Sequence, residues 1–150
     1  NNNALEVLVE KLRENREFVL MDTPRTLLMR CEELVHEVDT VVIVSELTVP
    51  ALRDTVTILN KVRTLAADMG QPNKDIRIVI NKEKGKKAGQ IALKDFEKEV
   101  EVPVAAVLPD MPEIACVALN DGKPMVAING ANRLVEEIRA FCNVLDGKPH

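Results

Sequence analysis

Thr40-Val41-Val42-Ile43-Val44-Ser45-Glu46-Leu47-Thr48-Val49-Pro50 is the stretch on which the fold turns. Residues 40 to 44 are almost entirely β-branched and do not alternate with polar ones, as a strand buried on both faces requires. The run stops at Ser45-Glu46. From Val49 the period changes to that of a helix, with Leu52, Val56, Leu59, Val62 and Leu65 three and four apart, and Gly70 and Pro72 supply its end. Residues 76 to 80 are a second apolar run, ending at Asn81-Lys82. Outward from this strand-helix-strand unit the pattern repeats. Phe18-Val19-Leu20-Met21 predicts a buried strand stopped by the turn Asp22-Thr23-Pro24-Arg25, with helices over 4 to 15 (Asn3 as N-cap) and 26 to 37. Beyond residue 82, a loop rich in Lys and Gly leads to a helix over 90 to 99. A strand follows over 103 to 108, ending at Pro109-Asp110, then helices over 112 to 120 and 131 to 145. Four strands alternating with helices predict an α/β domain over residues 1–150: a parallel sheet, right-handed crossovers, helices on both faces.

Composition narrows the function classes. With 20 basic and 24 acidic residues the net charge is −4. Mild acidity disfavours a general binder of phosphate backbone, and three Phe with no Tyr or Trp leave little on which bases could stack. Nucleic acid is therefore an improbable partner. Cys31, Cys116 and Cys142 are too widely spaced for a disulfide framework or zinc site, and the expectation is reduced thiols in a cytoplasmic protein, two of them buried. No apolar run reaches the ~18–20 residues a spanning helix needs. The last helix collects Leu134, Val135, Ile138, Phe141, Cys142 and Leu145 on one face and carries acidic residues elsewhere, which suits packing better than a membrane surface.

In an open parallel sheet, ligands bind outside the carboxyl ends of the strands. Each run here stops on polar groups: Asp22 with Thr23, Ser45 with Glu46, Asn81 with Lys82, and Asp110 after Pro109. Turns favour such residues anyway, so any one of them is also explained as a strand end; four together favour a site. An Asp fixed directly after an apolar strand, here Asp22, suits magnesium held directly or through water. Asn81 offers donor and acceptor to a planar base. His36 lies among Glu32, Glu33 and Glu37 with no nucleophile in range, and Ser45, the only serine, is not in a G-x-S-x-G elbow.

Phe18 to Pro24 resembles the D-x-P segment of the MinD/ParA family of deviant Walker ATPases, and further motifs follow in that family's order. Val38 to Val44 with Leu47 to Leu52 is similar to its next strand and helix start, Ile78 to Lys82 to its V-x-N-(K/R) strand, and Val107 to Asp110 to its (I/L)-P-x-D loop. Ala118 to Pro124 resembles its A-x-x-x-G-x-P helix end, and the stretch from Ile91 to Glu97 is most like the pilus-assembly branch known as CpaE or TadZ. The resemblance implies a P-loop NTPase fold and a cytoplasmic homodimer, polar or peripheral to the inner membrane. It further implies ATP and Mg as cofactors and pilus-secretion proteins as partners. On it, Asp22 organises magnesium or the attacking water, Thr23, Pro24 and Arg25 shape the switch, and Asn81, Lys82, Pro109 and Asp110 line the nucleotide.

The departure is that the family's opening strand and glycine-rich lysine loop are not in these 150 residues; Lys82 to Gly89 lacks the G-x-x-x-x-G-K-(S/T) form. The expectation is thus the carboxyl-terminal portion of such an ATPase domain, lacking the first strands, with hydrolysis dependent on chain not seen here. A non-hydrolysing scaffold that recruits partners is the alternative. A DNA-partitioning ATPase, supported only by Lys82, Lys84, Lys86 and Lys87, is the remoter one.

Overall fold

A computed structural model describes residues 3–28, 33–85, 89–130 and 132–146. Cys31, Lys86, Lys87 and His150 lie outside them. The elements in chain order are α1 (Asn3–Asn15), α2 (Arg25–Leu28), α3 (Glu33–Glu37), β1 (Thr40–Ser45), α4 (Val49–Asp68) and β2 (Asp75–Glu83). They continue with α5 (Leu93–Val100), β3 (Val104–Pro109), α6 (Pro112–Asp121), a 3-10 turn (Met125–Ala127) and α7 (Asn132–Leu145). The chain clusters into two compact units, residues 1–41 with 58–75 and residues 42–57 with 76–150, so the division passes within β1, α4 and β2.

In the first unit, Val9, Leu34, Val35, Leu59, Val62, Leu65 and Ala66 are buried, the α4 members falling at the helical spacing read from the sequence. The end of α3 is tied down from the turn after α4. Lys74 Nζ donates to the Val38 carbonyl and, over 2.9 Å, to Gln71 Oε1, while Gln71 Nε2 donates to the His36 carbonyl at 3.4 Å. These side chains satisfy carbonyls that a helix C-terminus leaves without intrahelical partners. Arg13 forks onto both Asp39 carboxylate oxygens at 3.1 Å, and Thr40 Oγ1 donates to Asp75 Oδ2 at 2.9 Å.

The second unit carries the sheet, in the order β1-β2-β3. β2 and β3 are parallel, with Ile78 opposite Val104, Val79 opposite Ala106 and Ile80 opposite Val107. Ile78, Val79 and Ile80 are all buried, as a middle strand covered on both faces demands; α7 packs on β3, and Phe96, Val100, Ala118 and Leu134 complete the core from the helices. Thr48 is the N-cap of α4, its hydroxyl accepting the Ala51 N–H at 3.3 Å. Ser45 and Thr55 are both buried and hydrogen-bond through their hydroxyls at 2.7 Å, tying the end of β1 to α4.

Three expectations are corrected. Residues 18–21 form no strand: the stretch 16–24 is irregular, Phe18 is 60% and Leu20 83% exposed, and among the described residues no strand pairs with the run. Apolarity marks a segment that burial would stabilise, but a strand exists only with a ladder partner. The described sheet thus has three strands, not four. β2 does not stop at Ile80 but runs to Glu83 through a register shift, since a bulge lets a strand resume after its pairing is interrupted. Finally, the two described cysteines, Cys116 and Cys142, are exposed rather than buried, since a helix places only part of its circumference against a core.

Candidate functional site

The polar residues at the carboxyl ends of β1, β2 and β3 in the second unit form one cross-linked array. At its centre is a bulge. Lys82 takes φ 56°, a left-handed conformation that disfavours any residue with a Cβ. Its backbone is held on both sides by amide side chains: Asn81 Oδ1 accepts the Lys82 N–H at 2.9 Å, and Gln90 Nε2 donates to the Lys82 carbonyl at 3.0 Å. The other end of the Gln90 amide accepts the Lys84 N–H at 2.8 Å. After the bulge Glu83 rejoins the ladder opposite Pro109, its carbonyl accepting the Asp110 N–H at 2.9 Å.

Charged side chains then bridge the elements. Lys82 Nζ lies 2.7 Å from Glu46 Oε1 after β1, Lys84 Nζ 3.5 Å from Asp110 Oδ2 after β3, and the Arg133 guanidinium at the start of α7 3.4 Å from Glu83 Oε2. The Glu46 carboxylate, by its hydrogen bond first and its charge second, holds the Lys82 ammonium above the ordinary lysine value of 10.5. Glu83 Oε1 accepts the Gly85 N–H at 2.6 Å, and the Ile91 N–H donates to the Leu47 carbonyl at 3.0 Å. All three ion pairs are partly solvated, so each one contributes little to stability and exchanges readily with other ions.

Of the residues singled out from the sequence, Glu46, Asn81, Lys82 and Asp110 are therefore brought together at the strand ends. Pro109 is buried there, closing β3, and Ser45 is also buried, its hydroxyl spent on Thr55. Asp22, Thr23, Pro24 and Arg25 belong to the first unit, where all four are exposed and Arg25 opens α2. Glu83, Gln90 and Arg133 are not among the residues singled out from the sequence, and Lys84 is singled out only as part of a basic loop. The density of polar residues from 81 to 90 hints at Glu83, Lys84 and Gln90, whereas Arg133 meets Glu83 from 50 positions away and has no local signal.

Taken by itself, the strand-end set of the second unit has donors and acceptors suited to a planar base. The Asn81 amide, with its oxygen engaged by Lys82, keeps its N–H donors for other acceptors, and Asp110 supplies an acceptor after the neighbouring strand; such a pair suits the edge of a purine. In the first unit, and considered separately, Asp22 is one exposed carboxylate, the kind of single ligand that magnesium accepts when water completes its shell. Among the described residues no group of three or more His, Cys, Asp or Glu comes together to hold a metal. Both strand-end lysines have carboxylate partners, and no stretch of the sequence has the phosphate-loop form. No hydrolytic step is assigned to these residues.

No family model matches the chain. Its sequence is 24% identical over 149 residues to the septum site-determining protein MinD of Thermotoga maritima, covering 97% of this chain and 53% of that protein. The chain thus spans about half the length of the curated relative it matches. Among solved structures it superimposes on MinD in the MinC:MinD cell division complex of Aquifex aeolicus with a TM-score of 0.81, at 18% identity, covering all of this chain and 60% of that one. A ParA family ATPase from Chlorobium tepidum gives 0.77 at 15% identity, over 97% of this chain and 56% of that one. MinD from Pyrococcus horikoshii, complexed with Mg-ADP, gives 0.73 at 19% identity, over 97% and 57%. The chain has the helix-flanked parallel sheet of the MinD- and ParA-type nucleotide-binding proteins, and its sequence is similar to a MinD along nearly its whole length.

Proposed function

We propose that this chain is the base-recognising, carboxyl-terminal part of a MinD/ParA-type ATP-dependent switch that positions a larger assembly. The observation that carries the reading is the strand-end array. Asn81, at the bulge near the end of β2, and Asp110, just after β3, lie toward the carboxyl ends of neighbouring parallel strands tied through the Asp110 N–H and Glu83 carbonyl, where an open α/β sheet takes its ligands. The fold is that of a protein solved with Mg-ADP. In this reading Asn81 donates to a ring nitrogen of adenine, Asp110 accepts from its exocyclic amine, and Pro109 and Lys82 set the shape of that edge. Asp22 orients magnesium or the attacking water, and Thr23, Pro24 and Arg25 form the segment that responds to the γ-phosphate. The molecule works as a cytoplasmic homodimer at the inner-membrane surface, and the resemblance of residues 91 to 97 to the CpaE/TadZ branch makes pilus-secretion proteins its partners.

One observation favours a second reading, a non-hydrolysing scaffold. Lys82 and Lys84 are committed to Glu46 and Asp110, so the described strand ends present a balanced surface suited to a protein partner. Calorimetric titration of the intact natural protein with Mg-ATP separates the two. Saturable binding that falls at least tenfold in Asp22→Ala and in Asn81→Ala supports the switch; no heat of binding in the unaltered protein refutes it and leaves the scaffold.

A further inference from the structure

We propose that Gln90 is a positioning residue of the strand-end site, acting through Lys82 to set where Asn81 and Asp110 stand relative to each other. The inference rests on the nucleotide reading above and adds to it a residue that contacts no ligand.

The reasoning starts from the bulge. A lysine at φ 56° is disfavoured relative to extended backbone, because its Cβ crowds the following carbonyl, and persists only where its surroundings over-determine it. Two contacts do so. Asn81, one of the two candidate base contacts, uses its oxygen on the Lys82 N–H, and Gln90 uses its nitrogen on the Lys82 carbonyl. Gln90 also fixes the way out of the bulge, since its oxygen takes the Lys84 N–H. One planar amide therefore spans the backbone from residue 82 to residue 84. Asp110 is downstream of that span, its N–H on the Glu83 carbonyl and its carboxylate beside the Lys84 ammonium. Without Gln90, the Lys82 carbonyl and Lys84 N–H lose their shared partner. The backbone is then released toward ordinary strand geometry, and a slip of one residue in a strand turns every later side chain to the opposite face. Asn81 and Asp110 would lose their common register although neither had been altered. Glycine at 82 adopts positive φ without the Cβ penalty, so a chain with glycine there has less need of the clamp.

The test uses the intact natural protein, ¹⁵N-labelled, with ADP and magnesium as the probe and pyrophosphate as the control for plain anion binding. In the unaltered chain ADP, but not pyrophosphate, is expected to shift the resonances of Asn81 and Asp110. Gln90→Ala, which deletes both of its hydrogen bonds, is expected to weaken that response by at least about fivefold, with the far resonances of Phe96 and Val100 unmoved. Gln90→Glu, which keeps the acceptor for Lys84 and loses the donor to Lys82, should be impaired nearly as much. Lys82→Gly combined with Gln90→Ala should regain most of the response relative to Lys82→Gly alone. Equal affinity in the unaltered chain and Gln90→Ala overturns the positioning role while leaving the nucleotide reading intact. No response in the unaltered chain overturns the nucleotide reading, and the role of Gln90 at a ligand site falls with it.

Discussion

Replacing Thr55 by Val keeps the shape of a buried side chain and deletes one hydroxyl, which isolates the link between β1 and α4. Thr55 is 2% and Ser45 6% exposed, and their hydroxyl oxygens are 2.7 Å apart. In Thr55→Val the Ser45 hydroxyl keeps its burial and loses this partner, a cost of about 1–3 kcal/mol; the added methyl returns up to about 0.8 kcal/mol. The expected net loss is about 1–2 kcal/mol, or about 3–6 °C in Tm for a chain of this size. Ser45→Ala should cost about 1 kcal/mol, because Thr55 retains its bond to the Ala51 carbonyl at 2.8 Å. The double variant removes both hydroxyls and leaves neither stranded. It should therefore be about 1 kcal/mol more stable than the sum of the single losses implies. Urea unfolding of the four proteins, followed by circular dichroism, measures that coupling directly. Losses that add to within about 0.3 kcal/mol would mean that the two hydroxyls do not depend on each other, and the reasoning would be wrong.

Two further predictions concern groups in unusual states. Burial of the Lys74 ammonium, outweighing the attraction of Asp39, lowers its pKa below 10.5, whereas Glu46 raises that of Lys82 above it, so side-chain NMR should find the two lysines titrating in that order. The linked effects on stability have opposite signs. The unfolded chain binds more protons at Lys74 in the window just below 10.5, so stability from that site rises with pH there; the contribution of Lys82 is fully present below 10.5 and is lost as pH climbs through its higher folded value. Glu101 caps the end of α5 at φ 54°, a position that glycine adopts without a Cβ penalty. Glu101→Gly is expected to raise stability by about 0.5–1 kcal/mol, seen as an increase of about 2–4 °C in Tm; an unchanged or lower Tm would contradict the assignment.

What the sequence disclosed and what it withheld follow from the range of the interactions involved. Residues 40 to 44 and the spaced leucines and valines of α4 announce their structure because β-branching and helical period are local properties, and both elements form where expected. The run at 18–21 has the same local chemistry as β1 but no ladder partner among the described residues, and pairing cannot be seen in one segment alone. The strand ends were legible as places only in part: Asp110 does follow β3, but β2 continues past Asn81 to Glu83. The bulge was not. It depends on the register of β2 against β3 and on Gln90, which returns from beyond Gly89 with nothing in its neighbours to mark it. The three ion pairs were equally hidden, because Glu46, Asp110 and Arg133 come from elements 36, 26 and 50 positions from their partners.

The exposed run Phe18-Val19-Leu20-Met21 has a consequence for Asp22 that is separate from magnesium. Four apolar residues without charge or proline, two of them strongly exposed, are the kind of segment through which chains stick together, and here they are bracketed by the carboxylates of Glu17 and Asp22. Those two charges act as gatekeepers, repelling a second copy of the same segment. Asp22→Ala removes one of them, so it lowers solubility as well as any affinity for nucleotide. The calorimetric comparison is consequently read beside light scattering, and Asp22→Asn, which keeps the polarity and only loses the charge, is its natural companion.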